Sequence, residues 1–414
     1  MRRRATGMVA FAMTAAALAV LPAAGAHAAG WSRPKQVAVG VGGDVFIAEN
    51  ARGDTVLAWA GGSKGGIGYA YRRAGHGFSR PGRVPGGAKG PTAVAVDPAG
   101  GIAIAWIAPD GAHVFLREAG RRRGASRLLS AAGERVNWLS LAAGGKGTFA
   151  AAWSGGEGQI EGSRADGGHP FGAVTQISRY EHGNSTQVVF APGGRAVVLW
   201  STGESLTSIR SAVWPPKGAP RPPGTLVTAA GRGFAFLFWT AAGDATGRQT
   251  LLWSAAGDGP DDELAAASGH APSAFAPVQQ FAVEHVLTDT RLAVASSGAA
   301  VAAWRSGFET VQTSLRLPGA AAFGPPRAFT LPSNSLDQVS SAAIAPNGRC
   351  AVGWFGNAGV SVAVGTQSGF ASPTVLSRAF NPPVVGVDRQ GIVTAAWLEG
   401  NGTDRKLVAV EYGT

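Results

Sequence analysis

Apolar residues along this chain fall into short runs broken by turn residues, without the three-to-four spacing that marks helices. Through these runs a glycine followed six positions later by a tryptophan recurs at near-even intervals. The pairs are Gly53/Trp59, Gly100/Trp106, Gly147/Trp153, Gly194/Trp200, Gly247/Trp253, Gly298/Trp304, Gly348/Trp354 and Gly391/Trp397. Successive tryptophans stand 47, 47, 47, 53, 51, 50 and 43 residues apart, a period that marks a structural repeat. Asn50, Asp97, Asp244 and Asp388 stand three residues before the glycine in half the copies. In Asp97-Pro98-Ala99-Gly100 the aspartate can accept local backbone bonds, proline presets the second φ, and glycine tolerates a positive φ at the fourth position. Apolar runs at 93–96 and 102–106 flank this turn, so each copy predicts a β-hairpin. Both alternate sets of residues in the second run are apolar, as expected of a strand covered on two faces.

Two more strands complete the unit. A third apolar run follows the hairpin, for example His113-Val114-Phe115-Leu116. After it comes an aromatic-x-x-Pro-x-x-apolar motif, seen from Phe78 to Val84, Phe323 to Phe329 and Phe370 to Leu376. Phe171 to Ile177 and Phe275 to Phe281 match it with valine in place of proline. Proline cannot donate to a ladder, so this strand is expected at an outer edge, where it also blunts pairing with other chains. The last unit, 384–412, lacks the edge motif, while an orphan copy, Trp31-Ser32-Arg33-Pro34-Lys35-Gln36-Val37, stands near the N-terminus. Joining the two makes an eighth sheet from both chain ends. Glu263 to Ser268 has some helical character but falls where a third strand is due.

Four strands in about 48 residues is the size of a propeller blade. The chain resembles secreted bacterial eight-bladed β-propellers over nearly its whole length after the first 28 residues. The expected fold is all-β: eight four-stranded antiparallel blades in one domain, 29–414, with the last blade closed by the N-terminal strand. The resemblance implies that loops entering the innermost strands, and loops between second and third strands, share one face where ligands bind. It implies no particular activity, because this fold hosts many. Sialidase-type propellers are similar only in architecture: their Ser-x-Asp-x-Gly-x-x-Trp box is absent, and no local motif assigns a nucleophile among Tyr69, Tyr71, Tyr180 and Tyr412.

Composition excludes other classes. Sixty-two glycines and 25 prolines with only 15% charged residues rule out coiled coils and helical bundles, and 45% hydrophobic residues rule out global disorder. Arg2 to Arg4, the apolar stretch 8–21 and Ala26-His27-Ala28 read as a secretory signal over 1–28, so the mature chain is expected to be extracellular, without a transmembrane segment, and monomeric. One cysteine, Cys350, cannot form an intramolecular disulfide, and its apolar surroundings mark it as an inert core thiol. The formal charge is +11; the leader removes three arginines and no acid, leaving +8. A basic extracellular protein suits anionic wall polymers, acidic glycans or DNA, the alternative being a diffusely charged, solvated surface. The basic residues are scattered, Arg121-Arg122-Arg123 being the one dense cluster, so no specific nucleic-acid partner is expected.

Candidate chemistry sits in three loops that hold seven of the 25 acidic residues. Glu181 and His182 follow unit three; Glu284, His285 and Asp289 precede unit six; Asp258, Asp261, Asp262 and Glu263 follow the fifth tryptophan. The first five are candidates for acid–base catalysis, since a carboxylate beside an imidazole can move protons. The last four suit a hard cation such as Ca²⁺, although the EF-hand spacing is absent and no other cofactor is expected. The alternative in each case is polar solvation of an exposed loop. Trp31, Trp138, Trp214 and Tyr180 are candidates for stacking on sugars, with Trp31 and Trp214 also readable as strand-edge residues. No serine-hydrolase elbow, phosphate loop or zinc spacing occurs. The leading expectation is a binding protein that recognises an extracellular glycan, wall polymer or protein through loops on one face. The alternative is a glycan-directed hydrolase or lyase using carboxylates at the channel mouth, so enzymatic activity stays open at this point.

Overall fold

The computed structural model describes residues 30–413 apart from 64, 88–89, 180–182, 203–207, 229–234, 257–262, 282–285, 308–309, 332–337 and 403–404. The proposed leader therefore lies outside the described residues. No described helix is long and apolar enough to cross a membrane.

The described strands form eight antiparallel blades in a closed ring. All eight motif glycines have positive φ, between 67° and 91°, which is why glycine recurs at the end of each inner hairpin turn. Asp97 shows what the turn acids do. Its Oδ1 accepts the Ala99 and Gly101 N–H groups at 2.8 and 2.7 Å, and its Oδ2 accepts the Gly147 N–H of the next blade at 2.6 Å. Asn50 in turn donates to the Asp97 carbonyl at 2.8 Å. These turns close their own hairpins and tie neighbouring blades together.

The repeated tryptophan is the seam filler. Eight clusters of buried side chains occupy the eight junctions between blades, and each contains one motif tryptophan. Trp153, for example, packs with Ala103 and Ala105 of the preceding blade, and Trp59 with Ala396, Leu398 and Leu407 across the closing junction. All eight motif tryptophans are at most 4% exposed. Small residues around the ring make room for them: a Cβ on Gly68 would come within 2.4 Å of the Trp59 indole nitrogen. Phe171, Phe275, Phe323 and Phe370 of the edge motif are buried as well, so the outer strands that follow them are pinned by these rings.

Closure follows the sequence expectation. The long strand Lys35–Glu49 pairs first with Arg405–Tyr412, as the outer strand of blade 8, and then with Thr55–Gly61, as the inner strand of blade 1. Trp31 bridges Tyr412, with ring centroids 5.2 Å apart. The Ser32 N–H donates to the Glu411 carbonyl at 2.7 Å, and the Glu411 N–H donates to the Ser32 hydroxyl at 2.9 Å. Glu263–Gly269 is a strand, as its place in the repeat requires. Cys350 is fully buried, and burial pushes its thiol up to about 12.

The same closing junction buries charge. Arg72 ion-pairs with Glu411 and donates to the hydroxyls of Thr55 and Thr394, at 2.8 and 2.7 Å. Glu49 lies 3.8 Å from Arg72, with its carboxylate buried at the same junction. Burial raises its pKa to about 7, against the attraction of Arg72, while Asp388 and Glu411 push it the same way as burial.

Two predictions follow for stability. Deleting residues 30–38 removes the outer strand of blade 8 and is expected to lower Tm by roughly 10 °C or more in a calorimetric scan; an unchanged melt contradicts closure. Because Glu49 holds its proton to higher pH when folded than when unfolded, its contribution is most favourable below about 4.5, declines as pH rises towards about 7, and is flat above. Glu49→Gln leaves Arg72 paired with Glu411 and is expected to make the fall of Tm between those pH values shallower.

Candidate functional site

Each inner strand begins at one face of the ring, here called upper, and ends at the hairpin turn on the lower face. The loops between second and third strands also open upward. The upper ends of the inner strands are irregular: six of the eight carry a register shift there, between Val41 and Val45, beside Val136, and at Ser185, Leu237, Thr288 to Asp289, and Ser340. A bulge re-aims a side chain, and bulges concentrate beside functional sites. Ser185 has φ 44°, a left-handed conformation uncommon outside glycine.

These bulges build the rim of the central channel. Trp138 stands opposite Ser154, the residue after Trp153, and Phe238 stands opposite Ser254, the residue after Trp253. The two rings thus hold equivalent positions in blades 3 and 5, and they are 51% and 42% exposed although every motif tryptophan is buried. Gln338 holds that position in blade 7. Asp44 and Asp289 lie in the bulges at the matching level of blades 1 and 6. Asp44, Asp289, Arg291, Gln338 and Pro382 line one cavity of about 260 Å³ at the channel mouth. Phe380, in the loop leading to blade 8, is 53% exposed and meets Phe355 edge-on at 5.3 Å.

Burial raises the pKa of Asp289, while the positive charges of Arg291 and Arg305 oppose that shift. Burial lowers the pKa of Arg291, whose guanidinium is held by the carbonyls of Ser340 at 2.8 Å and Thr290 at 2.9 Å. The rim therefore offers aromatic rings on blades 3 and 5 and acid–base groups on blades 1 and 6, an arrangement suited to the apolar faces and hydroxyls of a sugar.

Of the site residues expected from sequence, Asp289 is on this rim. Glu263 opens the third strand of blade 5. Glu181, His182, Glu284, His285, Asp258, Asp261, Asp262 and Tyr180 lie outside the described residues. Among the described residues no three His, Cys, Asp or Glu side chains assemble into a metal site. Trp31 and Trp214 are buried strand-edge residues, 8% and 4% exposed, so of the stacking candidates Trp138 is the exposed one among the described residues.

A carboxylate pair not anticipated from sequence also faces upward, on blade 3. Glu161, opposite Trp153 in the ladder, accepts the indole N–H at 3.1 Å, and the Glu134 carboxylate lies close enough to act on it. Burial, then the neighbouring Glu134 charge, raises Glu161 to about 7. On the adjoining blade Asp110 contacts His113 at 2.9 Å, and His113 stacks on Trp106 at 5.2 Å. Glu134 and Glu161 are 27 positions apart and share no motif, yet aligning the repeat copies places Glu161 across from the motif tryptophan.

No family model matches the chain, and no curated protein matches it. Among solved structures it is similar to the Cps50 (Swd1) β-propeller domain of Myceliophteria thermophila, at 11% identity and a TM-score of 0.47, over 92% of this chain and all of that one. It is similar to the polysaccharide lyase Uly1, at 10% identity and 0.48, covering 90% of each chain. YCF48 bound to D1 peptide shows 11% identity and 0.45, over 78% of this chain and 93% of its own. These likenesses concern fold alone.

A ¹³C NMR titration of the Glu161 carboxyl is expected to show a midpoint near 7 that Glu134→Gln moves towards ordinary carboxylate values; a midpoint near 4.5 would contradict the influence of burial and Glu134 on this group.

Proposed function

We propose that this protein is a secreted, non-enzymatic propeller that binds an extracellular glycan, wall polymer or protein through its upper face. The observation that carries the reading is the channel rim, where Trp138 and Phe238 are exposed at equivalent positions while acids and Gln338 stand at the matching level of other blades. Trp138 and Phe238 present flat apolar faces to water on rigid inner strands, surfaces that a sugar ring can cover. A sugar is favoured among the three ligand classes, because its ring faces stack on aromatic side chains and its hydroxyls meet carboxylate and amide groups. The basic extracellular character read from the sequence belongs to the same proposal.

A second reading, a glycan-directed hydrolase or lyase, is favoured by one feature: Glu161, beside Glu134 on the same face, has its pKa raised to about 7 by burial and the neighbouring charge. Glu181 and Glu284, the acids singled out from the sequence, remain candidates for that chemistry.

A glycan array with the mature protein separates the two. Binding without turnover is expected, and Trp138→Ala with Phe238→Ala is expected to weaken it by about tenfold or more. Cleavage of a bound glycan that is lost in Glu161→Gln, Glu181→Gln or Glu284→Gln would establish the enzyme instead.

A further inference from the structure

A wide cleft lies on the lower face, between blades 1 and 2, and it owes nothing to the rim. About 1130 Å³ in volume, it is lined by Arg52, Arg73, Arg80, Arg117, Arg121 and Arg122. Its one lining carboxylate, Asp54, is already engaged by Arg52, by the Asn50 amide at 3.0 Å and by the Ala74 N–H at 3.2 Å. Glu118 lies 3.6 Å from Arg121 at the exposed tip. Among the described residues no carboxylate pairs with Arg73, Arg80, Arg117 or Arg122.

Arg117 is the informative member of this group. In the ladder it stands opposite Ile102, the register position held by Arg72 opposite Thr55 and by Arg316 opposite Ala300. The other two are held by protein acceptors through their terminal nitrogens, although their Nε atoms, like that of Arg117, have no hydrogen-bond partner. Arg72 has Glu411 and two threonine hydroxyls, and Arg316 has the Ser268 hydroxyl and the Gly298 carbonyl at 3.2 Å. Arg117 instead lies over Tyr71 at 4.5 Å and Tyr69 at 5.9 Å, and its Nε has no hydrogen-bond partner. Burial and the charge of Arg73 both disfavour its cation, opposed by the two tyrosines. A half-buried guanidinium positioned by two rings, with no carboxylate paired to it among the described residues, lacks an anion.

We propose that this cleft is an anion-binding groove for an acidic polysaccharide, with Arg117 as its central acceptor. Guanidinium groups take carboxylate, sulfate and phosphate through paired N–H donors, and a cleft of this volume with four uncompensated arginines fits repeated charges along a chain. Single-stranded nucleic acid is disfavoured, because Arg117 covers the Tyr71 face on which a base would stack and Tyr69 is buried; a duplex is told apart by titration.

Titration calorimetry of the mature protein with polygalacturonate, dextran sulfate, neutral dextran and a DNA duplex tests this. At least one of the two polyanions is expected to bind with an affinity that falls as salt rises, and the pair tells carboxylate from sulfate as the preferred charge. Arg117→Ala is expected to weaken that binding by about tenfold, and Arg117→Lys by less. Arg73→Ala and Arg122→Ala, on exposed loops where folding is not at stake, are expected to cost about three- to fivefold each. Trp138→Ala should leave polyanion binding unchanged, so a failure of the rim reading and a failure of this one are separable. Unchanged affinity in both Arg73→Ala and Arg122→Ala, no binding of either polyanion, or equal binding of neutral dextran or DNA overturns the proposal.

Discussion

A four-stranded sheet that is apolar on both faces can exist in water only between two others. Every blade of this protein has that character: the second strand of blade 3, Phe149–Gly155, is buried at each residue. The requirement cannot be met by a stack with free ends, so the ring must close, and closure is the constraint on which the rest depends. One tryptophan per junction supplies the bulk that alanine-rich strands lack, and the long strand Lys35–Glu49 belongs to the first blade and the last at once. With no disulfide available to its single cysteine, the chain keeps its ends together by ladder pairing, the Trp31–Tyr412 contact and a buried ion pair.

A ring stabilised at its seams leaves its two faces free to differ. The lower face is regular: its turns carry Asp or Asn in half the copies and bond to their neighbours, which makes a firm floor for charged side chains. The upper face is where the repeat is broken, by bulges in six inner strands and by loops that vary most in length. Aromatic and acidic groups accumulate on that irregular rim, while the cationic cleft lies between the regular turns of blades 1 and 2. Two chemically unlike surfaces on one scaffold are consistent with a protein that meets a polymer at more than one point, and linked contacts of that kind raise affinity beyond either alone.

The architecture was legible in the sequence because its cause is local. A turn needs glycine at a positive φ, a seam needs bulk at a fixed offset from that turn, and an outer strand tolerates proline; each requirement leaves a mark within about ten residues. Closure was legible for a related reason, since the missing edge motif after Tyr412 and the spare one at Trp31 are complementary omissions. The sites were not legible in the same way. Trp138 and Phe238 become equivalent only when ladder register is known, and their exposure depends on bulges that no turn residue announces. Glu161 looks like any polar loop residue until Glu134, from another loop, is found beside it. Arg117 differs from Arg72 only by the absence of an acid at the neighbouring junction, and an absence in space has no signature in one dimension. Asp289 stood out in the sequence because acids are scarce and clustered there, and it lies on the rim; Glu263 is a strand residue, and the remaining acidic and histidine candidates fall outside the described residues.

Hydrogen–deuterium exchange across the closing blade tests the account most directly. If the chain ends are zipped into one cooperative ring, amides that pair Lys35–Val41 with Arg405–Ala409 should exchange as slowly as those of the interior strand Ile102–Ala108, through global opening. Rapid exchange of the terminal pairing beside a protected interior would mean that the ring is open in solution, and the arrangement of both faces around a common axis would have to be abandoned.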